Sequence, residues 1–280
     1  MCPASVFIMS RQFFCAIFCF LLIGLNAQEN NSSNENASSR WLDKQTIADG
    51  KIIEWDLADL IYDPKAGFSY IIANDTSVLY IGLIIKDDIN KAKFLNAGFS
   101  VFLNSEGKKK KTYAIDFPLP DPDHSIADYP ESLRDLKSLM LINFLHARKY
   151  QLSGFKQGSG VYTIENSNDA GIKVSLDLTD SGTLIYETII PFASILKKQP
   201  ALQTHEENTL AICFSFNAAT KPVSLPAQYT TSGVSGNPQS AGRRFANSNT
   251  PAIPPPSSGQ LEKLFQSSKT WKVISLAKKP

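Results

Sequence analysis

The chain has 280 residues, with 28 Lys and Arg against 26 Asp and Glu, for a formal net charge of +2. So even a balance excludes a protein that attracts nucleic acid through general electrostatics. Three of its four cysteines, Cys2, Cys15 and Cys19, fall in one apolar stretch at the start, which excludes a disulfide-stapled scaffold and leaves the fold to its own core.

The first segment, "MSRQFFCAIFCFLLIGLNAQ", places Arg11 ahead of an apolar run from Phe13 to Leu25, followed by small or polar residues. This is the layout of a secretory signal peptide over 1–27, cleaved after Ala27, with Met1 or Met9 as the start. The run is shorter than the roughly 20 residues of a comfortable membrane span, so no stable membrane insertion is expected after cleavage. The protein is therefore read as exported: periplasmic, outer-membrane-associated or secreted. Neither Cys15 nor Cys19 has the small-residue context of a lipid anchor. Residues 28–40 are polar and aperiodic and read as a flexible leader, with order beginning near Trp41 in a single domain over 41–280.

From there the signals are those of strands. "GFSYIIA" at 67–73 and "VLYIGLII" at 78–85 flank the turn cluster Asn74-Asp75-Thr76-Ser77 and predict an antiparallel hairpin. Both faces of the second strand are largely apolar, so it is central and covered on both sides, or covered on one side with an aromatic left for a ligand. "GFSVFLN" at 98–104 and "TYAIDFP" at 112–118 predict a second hairpin, with the lysine run 108–111 as its solvated tip or a contact for an anionic partner. "GVYTIEN", "GIKVSLDLT", "TLIYETIIP" and "TLAICFSFN" add strands, and "TWKVISL" closes the chain. In that last strand Trp271, Val273 and Ser275 oppose Lys272, Ile274 and Leu276. Many strands joined by short turns predict a mainly β, antiparallel sandwich.

Two segments break this rhythm. Leu133, Leu136, Met140 and Phe144 recur at helical spacing behind Asp128 and Pro130, predicting one inserted helix over about 130–148, with a short helix or turn at 191–198. Residues 218–258 are rich in Gly, Ser, Asn and Pro and read as a long disordered loop.

Catalytic signatures are sparse. His124, His146 and His205 share no metal spacing with cysteines, G-x-S-x-G is absent, and the S-x-x-K at Ser194 lacks its K-T-G companion. Asp121, Asp123 and Asp128 crowd one loop, and Asp87 and Asp88 end a strand. Such hard oxygen ligands suit calcium, or else serve as a solvated loop and a helix cap. No catalytic residue is expected.

Several segments together carry a resemblance. "IADGKIIEWD" at 47–56 sets Asp-Gly a few residues before Trp55; Asn74-Asp75 precede Leu79-Tyr80-Ile81-Gly82-Leu83; a hairpin runs from Gly98 to Lys111; "YETIIPF" ends a strand; "WKVISLAKK" closes the pattern. In order and spacing, over Trp41 to Lys279, the chain resembles carbohydrate-binding module family nine-like domains of the wider DOMON-like sandwich group, and is most like exported proteins of Bacteroidota-type bacteria. The resemblance implies a β-sandwich that binds a ligand without catalysis. Sugar-binding members clamp a terminal sugar between two tryptophans, whose π surfaces receive its apolar face. Trp55 stands in the matching motif, with Tyr80 as a second candidate ligand residue. Either ring is equally readable as core. Trp41 and Trp271 fall on no clamp position of the pattern.

The chain thus reads as an exported non-catalytic binding module for carbohydrate or another cell-envelope component, with calcium as the one candidate cofactor. The alternatives are a structural or interaction protein of the envelope, contacting its partner through 218–258, and a hydrolase with two carboxylates converging in a cleft.

Overall fold

The computed structural model describes residues 36–44, 46–51, 55–120, 133–196, 208–220 and 262–280. The first predicted hairpin forms from β4 (Phe68–Asn74) and β5 (Val78–Ile85), antiparallel, with Ser69 opposite Ile84 and Asn74 opposite Leu79. Asp75 makes its turn, since one carboxylate oxygen accepts the backbone N–H of Ser77 at 2.7 Å and of Val78 at 2.8 Å. The second hairpin is β6 (Phe99–Asn104) and β7 (Tyr113–Phe117). There the side-chain oxygen of Asn104 accepts from the N–H of Glu106 and Lys108 at 2.9 and 3.0 Å.

The remaining strands are β1 (Asn36–Ser38), β2 (Arg40–Trp41), β3 (Ile61–Asp63), β8 (Lys149–Ser153), β9 (Gly160–Thr163), β10 (Lys173–Leu178), β11 (Leu184–Pro191), β12 (Thr209–Phe216) and β13 (Ser268–Ser275). They form two sheets. The seven-stranded sheet has the order β1-β13-β12-β6-β7-β8-β9, and the six-stranded sheet the order β10-β11-β5-β4-β2, with β3 also on β4. The fold is a mainly β, two-sheet sandwich. Its pairings are antiparallel except at two edges, where β1 runs parallel to β13 and β2 parallel to β4.

The pleat sends alternate residues inward, and aromatic rings fill the gap between the sheets. Phe68 and Tyr70 of β4 meet Phe214 of β12 at 5.6 and 5.5 Å between centroids, and Phe99 of β6 meets Tyr186 of β11 at 5.8 Å. Each such fully buried ring contributes about 2 kcal/mol of hydrophobic stabilisation.

Among the described residues three α-helices accompany the sheets. Helix α1 (Asp88–Ala97) joins β5 to β6 and closes one end of the core, with Phe94 stacked on Phe99 at 5.2 Å and edge-on to Tyr186 at 5.7 Å. The sequence reading has no helix here, because lysines, aspartates and asparagines interrupt any apolar stripe. The helix buries nearly all round instead, and its buried lysines find partners. The Lys91 ammonium reaches Asp88 and the carbonyl of Gly182, each at 2.6 Å, while Lys93 lies over the Phe216 ring at 5.5 Å. Helix α2 (Leu133–His146) is the predicted inserted helix, and buries Leu136 and Met140. Helix α3 (Phe192–Ile195) is the single turn expected after β11.

Regular structure also begins earlier than Trp41. Residues 36–38 join one sheet and 40–41 the other, crossing at Ser39, whose hydroxyl bonds Asn74 and accepts from the Ala277 N–H at 2.8 Å. These pairings use backbone groups on two sheet edges, so polar residues serve as well as apolar ones. The expected signal peptide at 1–27, residues 28–35 of the expected leader, Asp121, Asp123, Asp128 and residues 221–258 of the expected loop lie outside the described residues. Among the described residues no helix is long and apolar enough to cross a membrane.

Candidate functional site

The two outer faces of the sandwich are built differently. On the six-stranded sheet the described residues 46–51 and 55–60 form a strap on the outer face. Trp55 lies against Gly82 of β5, where a Cβ would meet the Ile71 side chain at 3.0 Å and the indole at 3.9 Å. Glycine leaves the strand flat there, so the ring seats on backbone. Its indole N–H donates to Glu187 Oε1 at 2.8 Å, while Glu187 Oε2 accepts the N–H of Gly50 at 2.8 Å and of Asp49 at 3.1 Å. Gly50 has φ +82°, and a Cβ there would fall 2.7 Å from Asp177 Cβ, so the Asp-Gly pair is required by backbone geometry and close approach. Tyr80 meets Trp55 edge-on at 6.4 Å and donates its hydroxyl to Asp75 at 3.2 Å. Burial, with the Asp75 charge beside it, pushes the Tyr80 phenol up to about 12. Trp55 and Tyr80 are 7% and 2% exposed, and together with Ile71 and Ala73 they form a small second core under the strap. Neither ring has an open face.

Asp87 and Asp88, named as calcium ligands from the sequence, sit at the start of α1. Asp87 caps the helix, accepting the Asn90 N–H at 2.8 Å, and Asp88 pairs with Lys91. Both carboxylates therefore hold the helix. Asp121 and Asp123, their expected companions, lie outside the described residues. Among the described residues no group of three or more His, Cys, Asp and Glu is placed to hold a metal ion.

The outer face of the seven-stranded sheet carries no comparable strap among the described residues. One cross-strand row there reads Trp271, Cys213, Phe102, Ala114 and Ser153, from β13 through β12, β6 and β7 to β8. Trp271 and Phe102 are partly exposed, while Cys213 between them is fully buried. Two strand spacings put the aromatic positions about 10 Å apart. The Lys111 ammonium stands 3.6 Å from the centre of the Phe102 ring, a cation–π contact. The neighbouring row, Lys269, Ser215, Ser100, Asp116 and Gln151, is polar throughout, with Ser100 donating to Asp116 at 2.5 Å. Burial pushes the Cys213 thiol up to about 11, with Lys111 and Lys269 pulling the other way.

Sequence reasoning placed Trp271 correctly on the face opposite Ile274 but did not read it as a site; it passed over Phe102, and read Lys111 as part of the 108–111 run, a solvated tip or a contact for an anionic partner. The available signal was an aromatic on the wet side of an alternating strand. Phe102 lies between Ser100 and Asn104 in that phase, and Trp271 between Lys269 and Val273.

A cavity of about 390 Å³ opens at one end of the sandwich between Tyr113, Lys156, Gln157, Asp169 and Ser194. Its one aromatic is engaged, since Tyr113 packs on Phe155 at 5.2 Å and donates to the carbonyl of Ile195 at 2.9 Å.

No protein-family profile matches the sequence, and no curated protein does. Among solved structures the chain is similar to a carbohydrate binding module family 9 protein from Caldicellulosiruptor kristjanssonii in complex with cellotriose, at 8% identity and TM-score 0.37 over 88% of this chain and 95% of that one. It is similar to such a module from the same organism in complex with glucose, at 10% identity and TM-score 0.33 over 66% and 78% of the two chains. A candidate carbohydrate-binding protein from Bacteroides uniformis matches at 10% identity and TM-score 0.35 over 86% and 98%.

Proposed function

We propose that this protein is an exported, non-catalytic carbohydrate-binding module of the DOMON-like sandwich group, and that its ligand lies on the outer face of the seven-stranded sheet. The observation that carries the reading is the pair Trp271 and Phe102, partly exposed in one cross-strand row with hydroxyl, amide and lysine groups around them. Aromatic rings on a sheet face bordered by a polar row match the amphipathic character of a sugar, whose apolar face stacks while its hydroxyls bond sideways. Their separation suits an extended chain of several sugars better than a single terminal one. Export is supported by the charged and apolar leader at 1–27.

The test is a glycan array read with the protein and with Trp271→Ala, each matched for urea unfolding. Binding by the parent and its loss in a stably folded Trp271→Ala is the expected result. Binding kept in Trp271→Ala and lost in a folded Trp55→Phe would move the site to the strap on the other sheet.

A further inference from the structure

We propose that the Trp271 face selects an acidic polysaccharide, one whose sugars carry uronic carboxylates; this rests on the carbohydrate reading above. Lys111 and Lys269 bracket the row. The first sits over Phe102 at 3.6 Å. The second precedes Trp271 by two residues on the same side of β13, opposite Ser215. Both are exposed, and the charge of each reaches the Cys213 thiol midway between the rings. Among the described residues the acid on this part of the face is Asp116, held by the Ser100 hydroxyl at 2.5 Å, while Glu106 at the hairpin tip pairs with Lys108 at 2.8 Å. Among the described residues, two ammonium groups therefore stand against one carboxylate around the rings.

The geometry favours a carboxylate on the sugar ring itself. A pyranose stacked flat on the indole of Trp271 projects its ring substituents sideways, along the sheet. A carboxylate at C5 then extends along the sheet, within reach of flexible lysines two positions along β13 and beside Phe102, whereas a neutral hydroxymethyl there gains only a hydrogen bond. Lysine is a compact charge with three donors, able to meet a carboxylate from more than one direction. Exposed charges of this kind are screened by salt, so the selectivity has to fall as ionic strength rises.

The test compares polygalacturonate with the same polymer fully methyl-esterified, which keeps the sugar backbone and removes the charge. Affinity electrophoresis is run on the protein, on Lys111→Met/Lys269→Met and on Trp271→Ala. The expected result is tighter binding of the acid than of the ester, and a loss of about tenfold in the double lysine variant and on raising salt to about 0.5 M. Equal binding of acid and ester, unchanged in the lysine variant, would overturn the charge selectivity and leave the carbohydrate reading standing. Binding of the acid that ignores Trp271→Ala would reduce the effect to charge adsorption and overturn the proposal. Binding of neither polymer, with a blank array of neutral glycans, would overturn both readings.

Discussion

Trp55 and Glu187 are 132 positions apart in sequence and joined by one hydrogen bond of 2.8 Å, buried beneath the strap they hold down. The same carboxylate takes the N–H groups of Asp49 and Gly50, and the Ser175 hydroxyl reaches it at 3.4 Å, so one side chain gathers at least four donors. Glu187→Ala leaves those donors without an acceptor and is expected to cost about 3 kcal/mol, read as a fall in the urea midpoint. Glu187→Gln keeps a carbonyl acceptor and should cost less. Equal losses in the two variants would show that the hydrogen bonds contribute little.

Gly82 makes the seat of Trp55. A Cβ there meets the Ile71 side chain at 3.0 Å before it reaches the indole. Gly82→Val is expected to destabilise by about 1–3 kcal/mol through overpacking. It should also change the near-ultraviolet circular dichroism of tryptophan, because the ring is lifted from the strand. A stable variant with an unchanged tryptophan spectrum would contradict this placement.

Asp63 of β3 and Lys272 of β13 form an ion pair at 3.0 Å that ties one sheet to the other, with the Thr270 hydroxyl donating to the same carboxylate oxygen at 3.1 Å. Burial pushes the Asp63 carboxyl up, but the Ala66 N–H, the Lys272 ammonium and Thr270 outweigh it, so the group lies below its ordinary 3.8. A carboxyl lowered in the folded state stabilises fully above the unfolded value and loses that contribution as pH falls through the folded one. Lys272→Met should therefore cost about 3 kcal/mol at neutral pH, and the difference from the parent should narrow as pH drops below about 4. Urea titrations at several pH values measure it. A difference independent of pH would remove the ion pair from the account.

Cys213 gives a chemical check on the covered row. Its thiol is fully buried and raised to about 11, so it should stay unreactive to a disulfide reagent at pH 8. In the protein from Gln28 onward, where Cys213 is the one thiol, it should react only as the protein unfolds in urea. Rapid reaction in the native state would mean that Trp271 and Phe102 do not close over it.

The hairpins were legible because their turns and alternation are local: Asp75 and Asn104 announce the reversals, and the apolar phase gives the inward face. Helix α1 was not, because its lysines are satisfied by Asp88, by the distant carbonyl of Gly182 and by the Phe216 ring, and nothing local in the sequence carries those last two contacts. The candidate site divides the same way. Trp55 stands out in sequence, yet Gly82 and Glu187 cover it from two strands that only the fold brings near. Trp271 becomes part of a row through the register of β13, β12 and β6, and register is a property of the assembled sheet.

The parallel pairing of β1 with β13 has a mechanical consequence. Asn36 faces Val273 and Ser38 faces Ser275, with Ser39 donating to the Ser275 carbonyl at 3.0 Å. A pull applied backward from residue 36 and forward from residue 275 slides these strands past each other. Their hydrogen bonds then bear the load together, where a hairpin peeled from its open end would lose them one at a time. The stitch at residues 36–41 thus makes the closing edge of the sandwich resist stretching along the strands.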